Sequence, residues 1–593
     1  MIHSRLLFLI NSDRLLISRS LSKLLRFSQR ISYNNRDNYS DIEKRLRFMK
    51  KKLGILSLTA FTLVLAACGN GGTATENEEA AKNIMVTVNG ELASLDSISS
   101  TDSPSQNTIA NVMEGLYRPA DNGSNELGVA AEEPTVSEDG LTYTFKIREN
   151  ADWSNGDPVT AEDFVYTYKK TVTPETIGGN ANKFYVIENA EAIANGEAEP
   201  DTLGVKAIDD KTLEITLASP TTYFTDLLAT PYFLPVNHNV ATELGSDYGT
   251  SAENAVYNGP FEVSDWNSTE IEWTLTKNDE YWDADNVDLD QIDWVMSKEN
   301  STNVNLFEGG ELQYTEITTP YVQEYQDTDV LHIEPKGMIG YMEFNSQSSP
   351  TNNVHFRRAI SQAYDKEAFV DAILDDGSQA AGGWIPADFG SDPESGIDFR
   401  EENGDLMTFD LEAAQEEWAL ALEELGTDTV EIELLTSDTD TSKATSEYLQ
   451  AQLQTNLPGL TVTVRNVPLK SRQAITGTGE FDIVYGTYNP SYADPTAFLD
   501  YFVTGSSLSS GDFSDATYDE LMTEGKTTNA LDPAARWDNF LAAEKYLVED
   551  AAAVSPIYQG AYANLIDPNL DNVINQPNGV AQYYRAATYN VSE

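Results

Sequence analysis

The single cysteine of this 593-residue chain, Cys68, is the residue best placed for covalent chemistry. Lys50-Lys51-Lys52 precede fifteen uncharged residues, Leu53 to Ala67, which end in Leu65-Ala66-Ala67 directly before Cys68 and Gly69. A basic start, a short apolar run and small residues before a cut describe a secretory signal. The run is shorter than the roughly 20 residues that span a bilayer as a helix. One cysteine permits no intrachain disulfide and no cysteine-rich zinc site. His3, His238, His332 and His355 are too far apart in sequence for a local metal motif. Asp283-Ala284-Asp285-Asn286-Val287-Asp288-Leu289-Asp290 has the carboxylate density of a calcium loop. It lacks the turn glycine and the closing glutamate, and reads as a solvated acidic loop. There is no G-x-S-x-G elbow, no H-E-x-x-H and no phosphate-binding loop. No catalytic residue, cofactor or metal is expected, and the chain reads as a non-enzyme.

The tetrad Leu65-Ala66-Ala67-Cys68 resembles a bacterial lipobox. That resemblance implies a diacylglycerol on the Cys68 sulfur, a mature chain beginning at Cys68, and attachment to a membrane by fatty-acyl chains such as palmitate. Residues 49–67 are then the signal peptide, and Met49 is correctly placed to start it. Residues 1–48 carry ten basic and four acidic residues. They read as an upstream extension from a misplaced start, with an unusually long basic region as the alternative.

Charge excludes another class. The chain has 37 Lys+Arg and 96 Asp+Glu, a net of −59, so a basic surface for nucleic acid is ruled out. Thirteen of the basic and four of the acidic residues precede Cys68, which leaves 24 against 92, net −68. Such self-repulsion destabilises a compact state unless salt screens it, so a saline or otherwise demanding external medium is expected. With 40% apolar and 10% aromatic residues, packed cores rather than disorder are expected. The length calls for more than one core.

The elements alternate. Residues 68–83 form a polar tether, and Ile84 to Val88 reads as the first strand. Leu141 to Ile147 and Thr212 to Leu217 alternate apolar and polar residues, as half-buried strands do. Trp153 to Pro158 is a turn, and Thr160-Ala161-Glu162-Asp163 has the form of a capping box opening a helix. A helical stripe runs from His355 to Leu374, and strands at Val430 to Leu435 and Thr461 to Val467 flank a helix from Lys443 to Asn456. The class is mixed α/β.

Eight motifs then occur in one order. They are Ser94-Leu95-Asp96; Glu114-Gly115-Leu116-Tyr117-Arg118; Asp139-Gly140-Leu141; Trp153-Ser154-Asn155-Gly156-Asp157-Pro158 running into Phe164; Leu203 to Asp210; Asn258-Gly259-Pro260-Phe261; Lys277-Asn278 before Tyr281-Trp282; and Arg357-Arg358-Ala359-Ile360 before Asp365-Lys366. From about Ile84 to the end, the chain resembles the extracellular solute-binding proteins of the oligopeptide-binding family. Taken singly, these residues read as turn and core positions, Trp153 and Phe164 included. Together they point to the fold.

The resemblance implies a two-lobed clamshell like the periplasmic binding proteins. Lobe I would take residues 84–339, with an extra subdomain at 119–242, and lobe II residues 340–556. Residues 557–593 would return to lobe I. The chain would cross near Gly340-Tyr341 and near Pro556-Ile557-Tyr558. It implies a monomer on the outer face of the cytoplasmic membrane of a Gram-positive-type bacterium. That monomer would pass oligopeptides to the permease subunits of an ABC importer. Exposed strand edges would bond the ligand's backbone, through main-chain groups of Thr101 and Ser103 on one side and Thr487 and Asn489 on the other. Tyr488 stands where the family usually has tryptophan, and either walls the ligand or packs in its sheet. Tyr185 is a candidate pocket residue. Peptide-binding relatives usually carry an aspartate for the peptide's α-ammonium just before the element matching Tyr492-Ala493-Asp494-Pro495. Here that position is Ser491. Asp102 or Asp494 would have to compensate, or the ligand end differs. A receptor for signalling peptides, or one for a sugar oligomer, nickel chelate or haem, is the alternative.

Overall fold

The computed structural model describes residues 81–120, 124–176, 179–580 and 582–590, all within one unit, Ala80–Glu593. The readings placed on the signal segment, on Cys68 and on most of the tether lie outside the described residues.

Three of the sequence motifs, at 114–118, 258–261 and 277–282, converge on one buried carboxylate. Glu114, 3% exposed, accepts hydrogen bonds from the Tyr281 hydroxyl, from Trp282 Nε1 at 2.6 Å and from Arg118 Nη1 at 3.2 Å. Arg118 also reaches Asp283 at 2.9 Å and Glu126 at 2.9 Å. The guanidinium groups of Arg118, 4.9 Å away, and Arg148, 3.8 Å away, both lie over the Trp282 ring. Asn258 exchanges two hydrogen bonds with the Glu114 backbone. A side chain on the neighbouring Gly259 would stand 2.6 Å from the Val112 carbonyl carbon, so only glycine permits this approach. Three motifs separated in sequence thus serve one cluster, and their role is structural. Likewise, Asp163 at the third position of helix Ala161–Val172 accepts from the Thr160 N–H at 2.8 Å and from Trp153 Nε1 at 3.2 Å, which ties turn to helix. Trp153 and Phe164 are fully buried. Asp283 and Asp288, within the acidic loop, pair with Arg118 and Lys82.

One mixed sheet of eleven strands runs through the molecule. From one edge its order is Leu460–Val467, Val430–Ser437, Ile483–Tyr488, Leu331–Phe344, Val554–Ile566, Tyr314–Glu316, Asn83–Val88, Gln291–Met296, Glu272–Lys277 and Phe261–Val263. The short strand Gln379–Ala380 joins it beside Val554–Ile566. The two longest strands, Leu331–Phe344 and Val554–Ile566, lie antiparallel at its centre, with register shifts between Pro335 and Ile339 and between Gly340 and Tyr341. The buried apolar side chains divide at these strands. One core takes residues from Ile84 to Tyr314 and from Ile566 onward. Two others take residues from Ile339 to Tyr558. The segments at which the resemblance places the crossings are register partners, Gly340 opposite Tyr558 and Tyr341 opposite Pro556. Within 119–242 lies a separate four-stranded sheet, ordered Thr135–Val136, Thr142–Lys146, Thr212–Thr216, Val205–Asp209. The chain is a two-lobed α/β clamshell.

Two sequence expectations are corrected here. The stripe from His355 to Leu374 is not one helix. Helix Val354–Gln362 stops, and Asp365 caps a second helix, Lys366–Phe369, by accepting from the Ala368 N–H. The segment then continues as the wider turn Val370–Leu374, and Ile373 faces solvent. Thr101 to Ser103 is not a strand edge. Asp102 caps helix Ser103–Val112 by accepting from the Ser105 N–H at 2.9 Å. Asp102 has the N-cap preference of a short carboxylate, and Pro104 in the first turn gives up no intrahelical bond.

Candidate functional site

A cleft of about 560 Å³ opens where the central strands meet the first lobe. Its floor is made of strand residues: Tyr314 and Glu316, Lys336 and Tyr562. Lys336 Nζ lies 2.9 Å from Glu316 Oε1 and 4.0 Å from the centre of the Tyr562 ring. Burial pushes the Tyr314 and Tyr562 phenols up, so both keep their protons at neutral pH and remain donors.

Two helices point their first turns at this space. Ser103, Pro104, Gln106 and Asn107 come from helix Ser103–Val112, and Asn300 and Asn303 from helix Asn300–Glu308, with Ser297 and Lys298 just before it. Thr87, Val88 and Asn89 enter from the end of strand Asn83–Val88. That strand pairs along its length with Gln291–Met296, but meets Tyr314–Glu316 through Val86 alone. Past Val86 that side of the strand therefore has no strand partner, while the Val88 carbonyl accepts from the Ser297 N–H at 2.9 Å. The second lobe repeats the device. Strand Ile483–Tyr488 pairs with Leu331–Phe344 on one side, while on the other side Val430–Ser437 reaches only Ile483 and Val484. Thr487 is exposed on the open stretch, and Asn489 beyond it lines the cleft. Gly579, Val580 and Gln582 of the returning chain close the remaining side.

The candidate residues fall into two groups. Ser103 and Asn489 line the one cleft from opposite lobes. Thr101 and Thr487 are exposed neighbours of these two and are not part of its lining. Tyr488 packs in its own lobe. It stacks on Trp384 at 5.9 Å, meets Phe498 and Tyr501 edge-on, and its hydroxyl donates to the Ala497 carbonyl at 2.8 Å. Tyr185 is half-buried against the first-lobe core.

Ser491 faces the first lobe. Its Oγ accepts from Lys183 Nζ at 3.1 Å and donates to the Tyr232 hydroxyl at 3.4 Å. Beside it the Tyr223 and Tyr492 rings stack, 4.9 Å apart and 7° from parallel. Neither proposed substitute carboxylate is free. Asp102 caps its helix, and Asp494, buried, accepts from Arg536 Nη2 at 2.8 Å and from the Thr496 N–H at 2.9 Å. Lys183, Lys298, Lys336 and the Thr87–Asn89 strand end escaped sequence reading. A lysine on a half-exposed element carries no local sign of what it faces, and Lys183 and Ser491 lie 308 positions apart.

Among the described residues no cluster of His, Cys, Asp and Glu could hold a metal ion. None of their helices is long and apolar enough to cross a membrane.

Comparison with known proteins agrees with this geometry. Residues 127–510 match the bacterial extracellular solute-binding proteins, family 5 Middle. The chain is 34% identical over 553 residues to a dipeptide-binding protein of Lactococcus lactis, covering 91% of this chain and 99% of that one. The solved structure of Listeria monocytogenes OppA bound to peptide superposes with a TM-score of 0.73 at 35% identity, over 87% of this chain and all of that one. The pheromone receptor PrgZ superposes with the same score and identity over 86% of this chain. The chain belongs to the family-5 bacterial extracellular solute-binding proteins.

Proposed function

We propose that this protein is the lipid-anchored extracellular receptor of an ABC importer, which captures oligopeptides between its lobes and delivers them to the permease. The observation that carries the reading is the cleft itself. A strand end with an open side reaches it from each lobe, Thr87–Asn89 from one and Thr487–Asn489 from the other. Open backbone N–H and C=O groups bond an extended peptide without regard to its side chains. The relatives named for dipeptide binding and for bound peptide support the same ligand class. Residues 84–339 with 557–593 form lobe I and residues 340–556 lobe II, a division supported by the split of the cores. The two long central strands act as the hinge, and their irregular register near Gly340 suits bending. ATP hydrolysis belongs to partner chains, and Cys68 carries the anchor.

Two experiments test this. Titration of the purified protein with a mixed pentapeptide library, read by calorimetry, is expected to show one-to-one binding, and a null result beside tight binding of a sugar oligomer would overturn the peptide class. Mass spectrometry of the mature N-terminal peptide is expected to find a diacylated Cys68, and an unmodified thiol there contradicts the anchor.

A further inference from the structure

The charge of the cleft opposes the charge of the protein. Beyond residue 67 the chain holds 92 acidic and 24 basic residues, yet the charged side chains lining the cleft are Lys298, Lys336 and Glu316. Glu316 is consumed by Lys336 at 2.9 Å. Lys298 is exposed and has no partner among the described residues. A third ammonium stands at the Asn489 end. Lys183 Nζ is 3.1 Å from Ser491 Oγ, and a side chain on Gly579, itself part of the cleft wall, would begin 3.5 Å from the Ser491 carbonyl oxygen. Among the described residues the partners of Lys183 are neutral: that hydroxyl and the face of Tyr232, 5.3 Å away.

The carboxylates near this space do not offset the lysines. Asp102 is spent on a helix N-terminus and Asp494 on Arg536. Glu334, near Tyr314 and Tyr562, has its carboxyl pushed up by burial and is not part of the cleft lining. The first turns of two helices, with their partly positive N–H groups, add to the same sign. A ligand entering with positive charge loses its hydration and finds no free carboxylate. A ligand with negative charge finds the Lys298 ammonium without a counter-ion, and the Lys183 ammonium one contact behind the wall at Gly579.

We propose that the cleft selects peptides of net negative charge, with Lys298 and Lys183 setting the preference. The inference rests on the peptide reading above and adds the class of peptide. Three pentapeptides with identical ends, Ala-Glu-Ala-Glu-Ala, Ala-Gln-Ala-Gln-Ala and Ala-Lys-Ala-Lys-Ala, are titrated calorimetrically into the full chain and its Lys298→Glu and Lys183→Glu variants. The acidic peptide is expected to bind about tenfold tighter than the glutamine peptide, and the lysine peptide about tenfold weaker. Each variant is expected to compress or invert that order. Lys183→Gln serves as the milder change if Lys183→Glu lowers the melting temperature. Equal affinities, a lysine peptide that binds tightest, or an order that survives both variants would overturn the charge selection and leave the peptide reading standing. If none of the three peptides binds the unaltered protein, both fall.

Discussion

The two lobes contribute to the cleft very unequally. Of its twenty lining residues, Asn489 alone comes from 340–556, and the other nineteen come from the first lobe, the two long strands and the returning chain. The first lobe presents strand ends, helix first turns and lysines, all held by a rigid frame. The second presents one loop, Asn489 to Tyr492, whose further contacts go to Lys183, Tyr232 and Tyr223 of the first lobe rather than into the cleft. This difference separates two tasks. On the proposed reading, the first lobe would recognise and the second would close over what has been recognised. Changes in the first lobe should therefore alter whether a ligand binds, and changes in the second how long it stays.

The sharpest way to break that contrast is to remove the frame. Glu114→Ala leaves Arg118, Tyr281 and Trp282 facing a void where one carboxylate had satisfied them. Loss of one partner of a buried ion pair costs about 3–5 kcal/mol. Thermal melting is expected to show that loss, with binding abolished. A variant that melts as the parent does would show that the cluster does not support the site.

The second lobe has its own test. Lys366 is 5% exposed, its Nζ donates to the Ala381 carbonyl at 3.3 Å, and burial lowers its pKa to about 8. A lysine titrating near pH 8 when folded and near 10.4 when unfolded binds fewer protons folded, so stability rises as pH climbs through that window. Below pH 8 the full cost of charging it, about 3 kcal/mol, is present. Lys366→Met is expected to raise the melting temperature at pH 7, with a smaller gain at pH 10 and peptide affinity unchanged. A fall in affinity would contradict the division of tasks.

The proposed hinge stands between the two. A side chain on Gly340 would begin 2.0 Å from Cε1 of Tyr558, which is buried in the second-lobe core. Overpacking of this kind costs about 1–3 kcal/mol. Gly340→Ala is expected to destabilise the protein and slow closure in stopped-flow fluorescence, and an unaltered closure rate would remove Gly340 from the hinge. The smallest effect is expected at the closing loop. Asn489→Pro deletes one N–H beside the cleft and should raise the dissociation rate about tenfold, the worth of one good hydrogen bond, with the association rate nearly unchanged.

Much of the fold was legible because local rules carried it. The Thr160–Asp163 box, the alternating strands and the glycines at close approaches such as Gly259 each announce themselves within a few residues. The helix predicted through Ala363 and Tyr364 failed because an apolar stripe looks the same when a cap such as Asp365 interrupts it. The site was less legible. Ser103 and Asn489 reach the cleft, but Tyr488 and Tyr185 are held by packing, and an aromatic residue reads alike in either setting. The Lys183–Ser491 contact joins a short helical turn of one lobe to a loop of the other. Nothing in either local pattern encodes that contact.

The most direct test of peptide capture is native mass spectrometry of the full chain, purified in detergent without added ligand. The account predicts a bound mass that fragments into peptide ladders and disappears on unfolding, and that is absent when Thr87–Asn89 is replaced by prolines. A co-purifying mass that yields sugar, metal chelate or porphyrin fragments instead would contradict it.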